Sequence, residues 1–148
     1  MACLDTPKMN RIDFQELAKL RLREAEALFV AGLWEGAYYL AGYAIGCGLK
    51  ACISKTILEH SFPPKPEIAR DFYQHDLSKL LKHSGFQDEF EVDRTFQVKL
   101  QANWDIVKGW NVESARYDRL ATEPKACAIL SAIRDPDDGI LTWIMNRW

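Results

Sequence analysis

Residues 34–53 read WEGAYYLAGYAIGCGLKACI, and this stretch decides the fold. Ala37, Leu40, Ala41, Ala44, Ile45, Gly48, Leu49 and Cys52 recur at the i, i+3, i+4, i+7 spacing of one helix face. Most of these side chains are small, so a neighbouring helix axis can approach closely. Gly42, Gly46 and Gly48 each cost about 1 kcal/mol of helix propensity relative to Ala, which close packing must offset. Tyr39, Tyr43, Gly46 and Lys50 follow the same spacing on another face. Those tyrosines read either as core edge or dimer contact, or as the wall of a ligand site. The stretch is near the length that spans a bilayer. Its small-residue and Tyr-rich faces, with Glu35 and Lys50 near its ends, point instead to a buried helix of a soluble protein.

Helical patterns continue on both sides. Thr6-Pro7 suits a helix start. A helix is predicted over residues 11–31, with Leu17, Leu20, Ala27, Leu28 and Ala31 inward and Gly32 as a left-handed stop. Residues 61–66, SFPPKP, form a stiff connector because consecutive prolines favour extended backbone. After a short segment at 68–74, residues 75–83 form a short helix with Leu77, Leu80 and Leu81 inside and Gly85 closing it. A longer helix is predicted over 88–107 with Phe96, Leu100 and Val107 inward, followed by a loop at 112–121. Thr122 then opens a helix with Pro124 in its first turn and Ala126, Ile129, Leu130 and Ile133 buried. Asp135 to Gly139 is a turn or helix start, and 140–148 a last short helix. No strand alternation or repeat interrupts the series. The expectation is one all-α domain, an up-and-down bundle of about five helices.

Composition narrows the function classes. The 148 residues are 48% hydrophobic and 27% charged, which suits one globular domain and argues against disorder. A net charge of −2 supplies no overall attraction to nucleic acid or anionic lipid. No membrane span or apolar signal core is expected, and the metal-ligand and C-x-x-C spacings are missing from the four cysteines and three histidines. A reducing cytoplasm is the natural compartment for such cysteines. No phosphate-binding glycine loop, dinucleotide fingerprint, zinc-protease helix or nucleophile elbow occurs, so no cofactor and no metal are expected. Asp135, Asp137 and Asp138 read more simply as a helix N-terminus than as a cation site.

One pair carries chemistry. Arg70 and His75 are separated by four residues, and a guanidinium beside an imidazole can bind a phosphodiester and move its proton. The plainer alternative has His75 capping or packing the HDLSKLL helix and Arg70 solvated. Arg116 and Tyr117 follow a polar segment without periodicity. They suit a loop site holding a phosphate or carboxylate, or else a structural anchor.

Four segments together resemble one family. LAKLRLREAEALFVAGLWEGAYYLAGYAIGCGLKACISK (17–55) is similar to the first helical hairpin of HEPN-domain (higher eukaryotes and prokaryotes nucleotide-binding) proteins. FYQHDLSKLL (72–81) resembles their short helix beginning His-Asp-Leu. NWDIVKGWNVESARY (103–117) resembles their Asn-Trp…Trp…Arg-Tyr segment, and GILTWIMNRW (139–148) their closing Trp-containing helix. The resemblance implies an all-α bundle that often dimerises and keeps company with minimal nucleotidyltransferases, frequently as toxin–antitoxin pairs. In many such proteins an Arg-x(4–6)-His motif in the C-terminal half makes a metal-independent RNase. Here no such motif follows His83, the last histidine, and Gly46 stands where many relatives have Glu.

Three functions follow as expectations. The first is a non-catalytic HEPN-like homodimer that binds a nucleotide, RNA or a partner such as a nucleotidyltransferase, with Tyr39, Tyr43, Trp110, Arg116 and Tyr117 as surface candidates. The second is an RNase toxin using Arg70 and His75, with Arg116 as a phosphate clamp. The third is a structural dimerisation domain built on the small-residue stripe.

Overall fold

A computed structural model describes residues 9–60, 66–117 and 121–148. Among these residues the chain is all-helical: α1 (Arg11–Val30), α2 (Trp34–His60), α3 (Pro66–Phe72), α4 (Leu77–His83), α5 (Gln87–Phe96), α6 (Val98–Lys108), α7 (Val112–Tyr117), α8 (Glu123–Arg134) and α9 (Ile140–Met145). The all-α bundle is as the periodicity predicted, with nine helices rather than about five among the described residues.

The predicted stripe of α2 is the centre of the bundle. Ala37, Ala41, Ala44, Ile45, Leu49 and Cys52 are buried, while Leu40 is only partly so. Tyr38, Cys47, Ala51 and Ile53 are buried too, so α2 is covered on most sides, as a helix apolar all round must be. Its glycines mark where neighbours come close. A Cβ added at Gly42 would lie 2.1 Å from the Trp110 indole, and one at Gly48 would lie 3.1 Å from Ile144 of α9. No helix among the described residues is long and apolar enough to cross a membrane.

The α1–α2 hairpin is defined by its ends. Asn10 caps α1 by accepting the Asp13 N–H at 3.0 Å, and its own N–H donates to the Asp13 carboxylate at 2.8 Å. The start expected at Thr6-Pro7 lies outside the described residues. At the other end Gly32 adopts φ 77°, and the Gly32 and Leu33 N–H groups bond the Phe29 and Leu28 carbonyls. This double bond pattern ends a helix and reverses the chain. The inner face of α1 differs from the expected one. Phe14, Ala18 and Ala25 are buried, whereas Leu20 and Ala27 are exposed, as is Ala31 just beyond the helix. Small alanines let α1 lie close along α2, and the larger leucines flank that seam.

Two further corrections concern the second half. The helix expected over 88–107 is broken at Gln97, whose backbone turns extended (φ −111°, ψ 91°) between α5 and α6. An unbroken helix would set Phe96 over Leu100 and Val107. The break swings Phe96 outward to 82% exposure, while Leu100 and Val107 stay buried. The loop expected at 112–121 contains α7, which Asn111 opens by accepting the Glu113 and Ser114 N–H groups on its side-chain oxygen. The connector at 61–66 lies outside the described residues up to 65, and Pro66 is the first residue of α3. The remaining elements agree with the pattern. Asp76 caps α4, Leu77, Leu80 and Leu81 are buried, Gly85 has φ 85°, and α8 buries Ala126, Ile129, Leu130 and Ile133.

Candidate functional site

Four of the candidates named from sequence meet in one place. Tyr39 and Tyr43 stand one turn apart on α2 with ring centres 5.2 Å apart. Trp110, between α6 and α7, crosses both, at 6.5 Å from Tyr39 and 5.9 Å edge-to-face from Tyr43. His75, just before the α4 cap, brings its imidazole to 5.1 Å from Tyr43. Helical spacing accounts for the tyrosines. The approach of Trp110 depends on Gly42, because any side chain there would occupy the space of the indole.

Trp110 is thus a buried residue, 3% exposed, and not the surface aromatic expected. Its Nε1–H is buried with no hydrogen-bond partner among the described residues. An unmet buried donor costs about 1–3 kcal/mol. Another buried indole is treated differently: the Nε1–H of Trp143 donates to Asp93 at 2.8 Å, and Arg147 lies 3.7 Å over its ring.

Beside this cluster lies an inner hollow of about 180 Å³. Tyr43, His75 and Trp110 form one part of its wall, Phe14 and Leu17 of α1 another, and Cys47 and Lys50 of α2 a third. Met9 lines both this hollow and an outer groove of about 390 Å³ between the start of α1, the later turns of α2 and α3. Arg11, Ser54, Ile57, Phe72 and Tyr73 line the groove. Lys50 bridges the two, since its Nζ lies 5.6 Å over the Phe72 ring. Burial holds the Lys50 ammonium below the usual lysine pKa, with the nearby Cys47 opposing that shift. Burial likewise pushes the Cys47 thiol up, and that of Cys52 to about 11. Both thiols are therefore protonated and poorly nucleophilic near neutral pH.

The Arg70–His75 pair is not assembled in this hollow. His75 lines it, while Arg70 is an exposed residue of α3 outside its wall. Arg116 and Tyr117 belong to α7, not to a loop, and their side chains lie outside the described ones. Ala115 of the same helix is buried near Tyr39 and Gly36, which seats α7 on the beginning of α2. The Asp135 carboxylate serves a turn: it accepts the Asp137 and Asp138 N–H groups and pairs with Lys99 at 2.6 Å. The residues sequence reasoning missed are Lys50, as a site cation, and Arg11. Lys50 was in view as a member of the tyrosine face, but nothing in the sequence linked Arg11 to it.

No protein family, no curated protein and no solved structure matches this chain.

Proposed function

We propose that this chain is a non-catalytic HEPN-like binding module that takes a nucleotide or an RNA base against Tyr43, His75 and Trp110. The observation that supports this reading is the meeting of rings from three separated stretches around a hollow with a lysine in its wall. Aromatic walls stack bases without regard to sequence, and a nearby cation suits the phosphate. The inner hollow is smaller than the roughly 300–1,000 Å³ of most ligand pockets, which favours a single ring system over a large ligand. The non-catalytic part is supported by the missing Arg-x(4–6)-His motif after His83, and Arg70 is not among the residues of the wall that His75 joins. In line with the family resemblance, we further propose a cytoplasmic homodimer that works beside a minimal nucleotidyltransferase.

Fluorescence anisotropy with short single-stranded RNAs tests the reading. The wild type binds, and Tyr43→Ala weakens binding by the roughly 1–3 kcal/mol that one stacked base contributes. Equal binding by both proteins refutes the assignment of the base to this wall. RNA incubated with the protein in EDTA remains intact on this reading. Cleavage that disappears in His75→Ala would establish the RNase instead.

A further inference from the structure

The charged side chains that line the two hollows, among the described residues, all have one sign. Among the described residues that line them there is no Asp or Glu, and there are two half-buried cations, Arg11 and Lys50. Six other cations are neutralised, whereas Lys19, Arg23, Lys55, Lys79 and Lys82, which line neither hollow, make no ion pair among the described residues. Arg21 pairs with Glu24, Arg94 with Glu91, Lys99 with Asp135, Lys108 with Asp105, Arg134 with Glu26, and Arg147 with Glu89 and Asp93. Lys50 instead rests its ammonium on the Phe72 ring, and among the described residues neither it nor Arg11 makes an ion pair. Two half-buried cations beside hollows lined by no described carboxylate leave their charge available to an anion.

The geometry separates a place for a ring from a place for that anion. The inner hollow has the stacking wall of Tyr43 and His75 and the size of one ring system. The outer groove is wider and carries Arg11, while Phe72 of its wall holds the Lys50 ammonium. A guanidinium offers a fork of donors to phosphate oxygens, and an ammonium adds a point charge.

We infer that the two hollows together bind one nucleoside monophosphate unit, its base in the inner hollow and its phosphate in the outer groove against Arg11 and Lys50. This rests on the base-binding reading above and adds the phosphate site and the residues that hold it. The same unit is presented by a free mononucleotide and by one residue of an RNA strand.

Isothermal titration of the full chain with the four ribonucleosides, the four 5′-monophosphates, inorganic phosphate and a short RNA separates the outcomes. Lys50→Met and Arg11→Met keep the packing stems and remove the charges, and their melting curves verify that they fold. At least one monophosphate should bind about ten- to a hundredfold more tightly than its nucleoside, as expected for charge-assisted hydrogen bonds. Each variant should lose about that factor for the monophosphate and nothing for the nucleoside. Mononucleotide binding with the same dependence as RNA binding identifies a free nucleotide as sufficient. Equal affinity for nucleoside and monophosphate, indifferent to both variants, overturns the phosphate site and leaves base binding standing. Tyr43-dependent RNA binding without mononucleotide binding does the same. Inorganic phosphate binding as tightly as the monophosphates overturns the two-part site, and no binding by any probe overturns both readings.

Discussion

Gly42 and Gly46 sit about one turn apart on α2, yet a methyl group added to each meets different neighbours. At Gly42 the new Cβ would be 2.1 Å from the fused carbons of the Trp110 indole, which cannot yield as the tip of a flexible side chain can. At Gly46 it would be 3.8 Å from Leu77 and 4.0 Å from Leu80, ordinary contact distances. Replacing Gly by Ala gains about 1 kcal/mol of helix propensity in both cases. Overpacking of about 1–3 kcal/mol or more opposes it only at Gly42. Gly42→Ala should therefore lower the melting temperature, and Gly46→Ala should raise it. The same sign for both would show that Trp110 does not lie across α2 as described. Ala44 belongs with Gly42: it is fully buried, and Ala44→Leu should cost about 1–3 kcal/mol in a urea titration. At this scale the site was half legible. Helical spacing put Tyr39 and Tyr43 on one face, but the seat of Trp110 depends on a contact 68 positions along the chain from Gly42, which no local pattern encodes.

The turn between α8 and α9 shows what one carboxylate does for an element. Asp135 accepts two backbone N–H groups and pairs with Lys99, and these interactions lower its pKa from 3.8 to about 2, the Asp138 N–H having the largest effect. A carboxylate more acidic in the folded than in the unfolded chain contributes stability that is complete above about pH 4 and lost as the pH falls through about 2. Asp135→Asn keeps an acceptor for the turn and removes the charge. The variant should melt below the wild type at pH 7, and the two curves should converge between pH 4 and 2. A difference independent of pH would mean that the charge contributes nothing. Legibility at this scale depended on punctuation. Gly32, Gly85 and Pro124 announce their helix ends, whereas Gln97 does not, and an unmarked break turned Phe96 from an expected core residue into an exposed one. Six-residue α7 is too short to display a period. Phe96→Ser should accordingly change stability by no more than about 0.5 kcal/mol, measured by urea titration; a loss of several kcal/mol would restore it to the core.

The molecule as a whole has one core among the described residues. The helices around α2 continue into an aromatic group at α5, α6 and α9, where Phe90 meets Trp104 at 5.2 Å and Trp143 at 4.9 Å. Arg134 of α8 reaches back to Glu26 of α1 at 3.3 Å. A single continuous core without separate layers should unfold in one step. Far-ultraviolet circular dichroism and tryptophan fluorescence should then give coincident melting curves, and separated midpoints would divide the bundle into independent units. Much of the chain's aromatic content serves its own core, since Trp104, Trp110 and Trp143 are buried. The proposed homodimer therefore stands on the family resemblance, and its test has to be independent of aromatic content. Sedimentation equilibrium at high micromolar concentration should give twice the 17.0 kDa mass of the chain. Dilution should halve that mass without altering the helical spectrum, because each copy already has its own core. A constant 17.0 kDa across the concentration range would remove the dimer. Loss of helix on dilution would instead mean that the fold of one copy is completed by the other, as in obligate dimers whose stability is inseparable from protomer concentration.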